Sequence, residues 1–188
     1  MFLLKILAFV PLFFAFPNPN VNWSGGEHNA VRISADGRDE IINQCIRSGL
    51  EVRYRYEMRI CRHRILWADY CGDERVVIRS LNFDPISESY RVVIDRLGDK
   101  EPAKVTTATS LEKALGTVTT LTSPPLSSLG FNSSDFPQNR SPFLGVRVIA
   151  DCKGDYNETI AKISNFLTLG LVDVGSFDSG WVAFSLAP

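Results

Sequence analysis

From Leu50 to Arg64 the chain reads LEVRYRYEMRICRHR, with an apolar residue at every second place up to Ile60. Val52, Tyr54, Tyr56, Met58 and Ile60 fall on one side, and Glu51, Arg53, Arg55, Glu57 and Arg59 on the other. Successive side chains of a strand point to opposite faces, so this pattern predicts a long strand with one face in a core and the other in water. Such alternation belongs to antiparallel sheets with one wet side. NAVRISA (29–35), ERVVIRSLNF (74–83), YRVVID (90–95), FLGVRVIADC (143–152) and WVAFSL (181–186) read as further strands. DPISES lies between the second and third of these, and its Asp-Pro start predicts a hairpin turn.

Three stretches have helical spacing instead. Residues 37–48 carry Ile41, Ile42, Cys45 and Ile46 on a narrow stripe, with Asp36 as cap and Gly49 as stop. TSLE places Thr109 and Glu112 at capping-box spacing ahead of Leu111, Ala114, Leu115 and Val118, and Pro124-Pro125 bars continuation. Residues 156–168 carry Ile160, Ile163 and Leu167, with Asp155 and Glu158 at the start and Gly170 as the stop. The fold class expected is mainly β: an antiparallel β-sandwich with about three short α-helices. A partly closed β-barrel of α+β type is the alternative.

The N-terminal run MFLLKILAFVPLFFAF has the length of a signal-peptide core and is short of a membrane span. Its cleavage site is weakly marked, because Phe13 stands two places before Ala15. Three readings stay open: a cleaved signal peptide, an N-terminal anchor tethering the protein to a membrane, or a buried segment. The division expected is 1–17 as signal or anchor, 18–29 as a flexible leader, and 30–188 as one β-rich domain. The length of 188 residues suits one domain, and a net charge of −1 gives no general attraction to nucleic acid.

The order of these signals resembles that of a bacterial family known only as domain of unknown function 4390. The matching pieces are SGLEVRYRYEMRI, LWADYCGDERV, LNFDPISESYRVV, TSLEKALGTV and SGWVAFSL, spread over Val31 to Leu186. Glu51 stands where the family has proline, and the cysteines lie outside its pattern. The resemblance implies an exported or membrane-tethered envelope protein and supplies no catalytic residues. A bacterial source would leave the glycosylation sequons at Asn22, Asn132 and Asn157 idle.

Chemistry-bearing motifs are sparse. No Gly-rich phosphate loop, HExxH, CxxC or GxSxG is present, so no cofactor or metal is expected. His63 lies among arginines and reads as a solvated strand-end residue. Asp69, Asp73 and Glu74 cluster in one turn without EF-hand spacing. Asp151, Asp155 and Glu158 are a weaker metal candidate. Trp67 and Trp181 are candidates to line a ligand groove. Four cysteines in an exported chain point to disulfides. Cys61 and Cys71 flank a turn, with Cys61 on the arginine face; Cys45 and Cys152 both face inward; four free thiols remain the alternative.

Arg53, Arg55, Arg59, Arg62 and Arg64 make the segment locally basic. The plain account is protection of a sheet edge and pairing with acids on neighbouring strands. The functional account is an anionic partner, since guanidinium donates two parallel hydrogen bonds to carboxylate or phosphate. The function expected is therefore an exported envelope protein acting as a non-catalytic binding module. The alternatives are a hydrolase of an envelope polymer using Asp69 and Asp84, or a sensor domain beside a membrane kinase or transporter.

Overall fold

The structure, a computed structural model, describes residues 20–24, 30–35, 40–64, 69–97, 102–123, 126–131, 142–153 and 176–186. Its strands are β1 (Asn20–Ser24), β2 (Ala30–Ser34), β3 (Glu51–Arg62), β4 (Tyr70–Cys71), β5 (Arg75–Asp84), β6 (Ser89–Leu97), β7 (Lys104–Ala108), β8 (Thr120–Ser123), β9 (Pro142–Lys153), β10 (Ser176–Asp178) and β11 (Val182–Ser185). Two α-helices, α1 (Glu40–Arg47) and α2 (Leu111–Thr119), and a 3-10 turn at Leu126–Leu129 complete the described elements. The third helix expected at 156–168, the N-terminal run, Asp36 and Trp67 lie outside the described residues. Within the stretch read as a leader, Asn20–Ser24 pairs antiparallel with β2.

The architecture is mainly β and antiparallel, as the alternation predicts, and among the described residues no barrel closes. One eight-stranded sheet runs β10-β9-β3-β5-β6-β7, with β11 also on β9 and β4 on β3. A three-stranded sheet runs β1-β2-β8. The inner face of the large sheet carries Val52, Tyr54, Tyr56, Met58 and Ile60 from β3 and Leu144, Val146, Val148 and Ala150 from β9, all buried. Ile42, Cys45 and Ile46 of α1, Ala114 and Val118 of α2, and Ile33 and Leu121 of the small sheet share one core with them. The strand parity read from the sequence is thus the parity observed.

Helix α1 ends as its glycine predicts. Gly49 has φ 73°, its N–H donates to Ile46 O at 3.0 Å, and the Leu50 N–H donates to Cys45 O at 3.1 Å. That pair of bonds is a Schellman stop, and glycine enters the left-handed region without a Cβ clash. Helix α2 differs from expectation at both ends. Its cap is Ser110, whose Oγ accepts from the Lys113 N–H, so Thr109 and Glu112 form no capping box. Its end comes at Thr119, where the chain passes directly into β8, ahead of the two prolines.

The reason for that early stop lies on the sheet. The last carbonyls of α2 are all taken: Thr117 O and Thr120 O by Arg79 Nη1 (2.5 Å to Thr117), Val118 O by the Tyr56 hydroxyl at 2.6 Å, and Thr119 O by the Ala35 N–H at 2.8 Å. A helix C-terminus leaves its final carbonyls without intrahelical partners and carries a partial negative charge, which a cation complements. Arg79 stands on the inner face of β5, opposite Tyr54, with 8% exposure. Burial pulls its guanidinium below the ordinary arginine value, while the Tyr56 phenol works the other way. Replacing Arg79 with methionine keeps the apolar stem and removes the donors. Two part-buried carbonyls then lose a charged partner, and urea unfolding should show a loss of about 2–3 kcal/mol. A loss below about 0.5 kcal/mol would contradict the capping role.

Candidate anion-binding face

Strand β3 is central, between β9 and β5, so its arginines do not guard a sheet edge. The outer face is ordered by cross-strand charge pairs with β9: Glu51 stands opposite Lys153, Arg53 opposite Asp151, and Glu57 opposite Arg147. Opposite charges so placed favour this register over a slipped one. The face is also drier than the alternation implies. Arg53, Arg55 and Arg59 are half-buried, and Glu57 and Cys61 are buried.

Glu57 is covered by two guanidiniums. Arg55 Nε lies 2.6 Å from its Oε1, an ion pair without hydrogen-bond alignment, and Arg147 Nη1 lies 3.5 Å from its Oε2. Arg147 also grips Asp178 with two bonds, Nε to Oδ1 at 2.9 Å and Nη2 to Oδ2 at 2.5 Å. That fork holds the Asp178 carboxyl below the usual carboxylate range and keeps Arg147 firmly charged. Arg55 is therefore committed to the sheet, with Glu74 a further 3.9 Å away.

The other arginines meet rings instead of acids. Arg59 lies over Trp181, its guanidinium carbon 3.8 Å from the ring centroid. Arg62 and Arg64 lie over Tyr70 at 4.7 and 5.0 Å. Stacking on an aromatic face holds a guanidinium while leaving its N–H edges open to an acceptor. Among the described residues no carboxylate lies within ion-pair distance of Arg59, Arg62 or Arg64, and Arg59 Nε and Arg62 Nε are buried without an acceptor. Trp181 is 36% exposed and Tyr70 51%. The five arginines are thus not one stripe. Arg53 and Arg55 belong to the mid-strand charge pairs; towards the strand's C-terminal end Arg59 stacks on Trp181, and Arg62 and Arg64 make a separate stack on Tyr70, with Arg62 on the opposite parity from Arg59.

Local sequence explains how each stack is placed. Arg59 faces Gly145 of β9, and a Cβ there would come within 3.3 Å of Arg59 Cγ and 3.5 Å of Trp181. The missing side chain leaves the slot in which both lie flat. Tyr70 is set opposite Arg62 by β4, whose Cys71 is the direct partner of Cys61. The Gly72 N–H donates to Ile60 O at 2.9 Å. Residues 61 and 71 are then a non-hydrogen-bonded pair, where side chains approach most closely. Their α-carbons are 4.0 Å apart and the cysteines are bonded. Cys45 and Cys152 form the second disulfide, with α-carbons 6.0 Å apart. Two disulfides fit an oxidising compartment.

The remaining candidates fall elsewhere. His63 does not stand among arginines alone: its Nδ1 lies 3.0 Å from Asp69 Oδ1, and its ring stacks on Phe143 at 4.5 Å. Asp69 lies at the C-terminal end of β3. Asp84 lies at the other end of β5, past the Val52–Leu81 pair, so these two carboxylates share no cleft. Asp84 instead closes the hairpin turn. It accepts from the Ile86 N–H at 2.9 Å and from the Ser87 hydroxyl at 2.8 Å, and these bonds hold its carboxyl below the ordinary range. Among the described residues no group of three His, Cys, Asp or Glu side chains could hold a metal, and no helix is long and apolar enough to cross a membrane.

Tyr70, Gly145, Phe143 and Arg147 are parts of this region that strand periodicity does not reveal. A Cys61–Cys71 pairing in antiparallel register would have placed Tyr70 against Arg62. Arg147 interrupts the outer side of β9 opposite an acid, which only the register exposes. No family model matches the chain, and no curated protein or solved structure is significantly similar to it.

Proposed function

We propose that this protein is an exported, non-catalytic binding module of a bacterial envelope, docking an anionic partner at the C-terminal end of β3. The observation that carries the reading is the set of three guanidiniums, Arg59, Arg62 and Arg64, stacked on exposed aromatic rings with no carboxylate at ion-pair distance among the described residues. Aromatic and arginine side chains dominate the energetics of protein contacts, and a guanidinium already held in place loses less entropy on binding. The two disulfides support export to an oxidising space such as the periplasm, as does the N-terminal apolar run.

The test is sedimentation with phosphatidylglycerol vesicles and retention on immobilised polyglutamate, at rising salt. The native protein should bind at least one of them, and binding should fall as salt shortens the screening length. The Arg59→Ser, Arg62→Ser, Arg64→Ser variant should lose at least tenfold, about 1.4 kcal/mol. An Arg55→Ser variant should lose little, because Arg55 already serves Glu57. Equal binding by native and triple variant, or none by either, would refute the reading.

A further inference from the structure

Strand β4 stands where β5 has left β3. The β3–β5 ladder ends at the Met58–Arg75 pair, and β3 then meets β4 at Cys61–Cys71 and Arg62–Tyr70. Between the two, Arg59 and Ile60 stand against Gly72, Asp73 and Glu74, a bulge with one extra residue on the β4 side. β4 itself is two residues long and, among the described residues, pairs with β3 alone. So short a ladder carries few bonds, and two-stranded pairing is marginal in water. The Cys61–Cys71 bridge is the covalent tie that keeps it in register.

The two disulfides differ in what else joins their ends. Cys45 belongs to the main core and Cys152 packs against it, so the folded core holds both thiols together even when the bond is cut. Cys61 is buried but stands outside that core, and Cys71 is half-buried on β4. A disulfide resists reduction to the extent that the fold keeps its two thiols close, and here only the two-residue ladder does so. Lifting β4 is a local opening, which costs less than parting the core. The ring that β4 carries is Tyr70, on which Arg62 and Arg64 are stacked. Arg59 stacks on Trp181, which precedes β11 and does not depend on β4.

We propose that Cys61–Cys71 is a redox switch on the anion-binding residues: a dithiol reductant opens it, β4 lifts, and Arg62 and Arg64 lose the ring that holds them while Arg59 keeps Trp181. A thiolate of the dithiol attacks the sulfur of Cys71, the more exposed partner, and Cys61 leaves as a thiolate. The dithiol's second thiol then attacks its own sulfur in the mixed disulfide and releases Cys71. The dithiol is oxidised to its disulfide, and its two protons end on Cys61 and Cys71. The guanidiniums stay charged throughout. Reduction weakens the hold on the anion by freeing two long side chains that must be ordered again on binding. This rests on the binding-module reading above and adds its regulation.

The experiment titrates the full chain with dithiothreitol, blocking and mapping free thiols at each step. Cys61 and Cys71 should be freed at a reductant concentration about tenfold or more below that needed for Cys45 and Cys152. Binding to immobilised polyglutamate or phosphatidylglycerol vesicles, whichever the oxidised protein binds, should then fall about fivefold, the effect of loosening two side chains. Reoxidation should restore it. The Arg59 Nε–Hε signal in NMR should not move on reduction. Tyr70→Ser, kept oxidised, should bind as weakly as the half-reduced native protein and respond no further to dithiothreitol. The Cys61→Ala, Cys71→Ala double variant should do the same. Release of Cys45 and Cys152 first, or equal binding by oxidised and half-reduced protein, would overturn the proposal. If reduction leaves binding unchanged while the Arg59→Ser, Arg62→Ser, Arg64→Ser variant still loses it, the switch falls and the binding-module reading stands. If the oxidised protein binds neither probe, both fall.

Discussion

Replacing Cys45 and Cys152 together with alanine should lower the unfolding free energy by roughly 4–5 kcal/mol, the chain-entropy estimate for a cross-link closing about 100 residues. The bond spans a sequence separation of 107 residues and ties the buried stripe of α1 to β9, beside Val52. Cutting it frees the unfolded chain far more than cutting Cys61–Cys71, whose separation is 10 residues. That shorter bridge should be worth roughly 3 kcal/mol by the same relation. Urea unfolding of the two double variants, each with its other bridge kept oxidised, checks both the size and the order. If the short bridge proved the more stabilising, or if peptide mapping recovered a different pairing, the helix-to-sheet tie would be wrong.

Tyr56→Ala should cost about 4 kcal/mol, within the range for aromatic truncation in a packed core. The ring is fully buried and the hydroxyl donates to Val118 O at 2.6 Å, so the change removes both core volume and a helix-end bond. Tyr56→Phe isolates the second part. It leaves the Val118 carbonyl without its donor and should cost about 1–2 kcal/mol. Burial also pushes the phenol well above its ordinary value of 10.0, against the smaller pull of Arg79. A folded-state value raised in this way favours the protonated phenol in the fold. Its contribution is complete below the unfolded value and is lost as pH climbs past about 10, at up to about 1.4 kcal/mol per pH unit. Alkaline unfolding curves for the native protein should fall more steeply there than those of Tyr56→Phe. Parallel curves would show that Tyr56 is not held as a buried phenol.

Much of the fold is legible in the chain because strands announce their faces with a period of two. The inward sets on β3 and β9 follow directly from that period, as does the hairpin whose turn Asp84 closes. What escapes is whatever depends on register between distant strands. Arg79 shares a parity with Val77 and Leu81, an inward cation whose partners are the carbonyls of a helix some forty residues on. Nothing near VVIRSL shows that those carbonyls wait above it. The cap of α2 moved from Thr109 to Ser110 because both residues are good caps and packing selects between them. For the arginines, the sequence shows five in alternation but not which ones acids claim. Glu57 takes Arg55 because β9 brings Arg147 to the same carboxylate, and Gly145 admits Arg59 beneath Trp181. Both facts belong to the β3–β9 pairing and to the short return of β11.

The central claim is that Arg59, Arg62 and Arg64, which have no carboxylate partner among the described residues, hold the anionic partner. Side-chain Nε–Hε signals of the arginines, followed by NMR as polyglutamate is added at low salt, test it most directly. The account predicts shifts at Arg59, Arg62 and Arg64, reversed by added salt, with Arg55 and Arg147 unmoved in their ion pairs. Shifts confined to other arginines, or none at saturating polyglutamate, would contradict it.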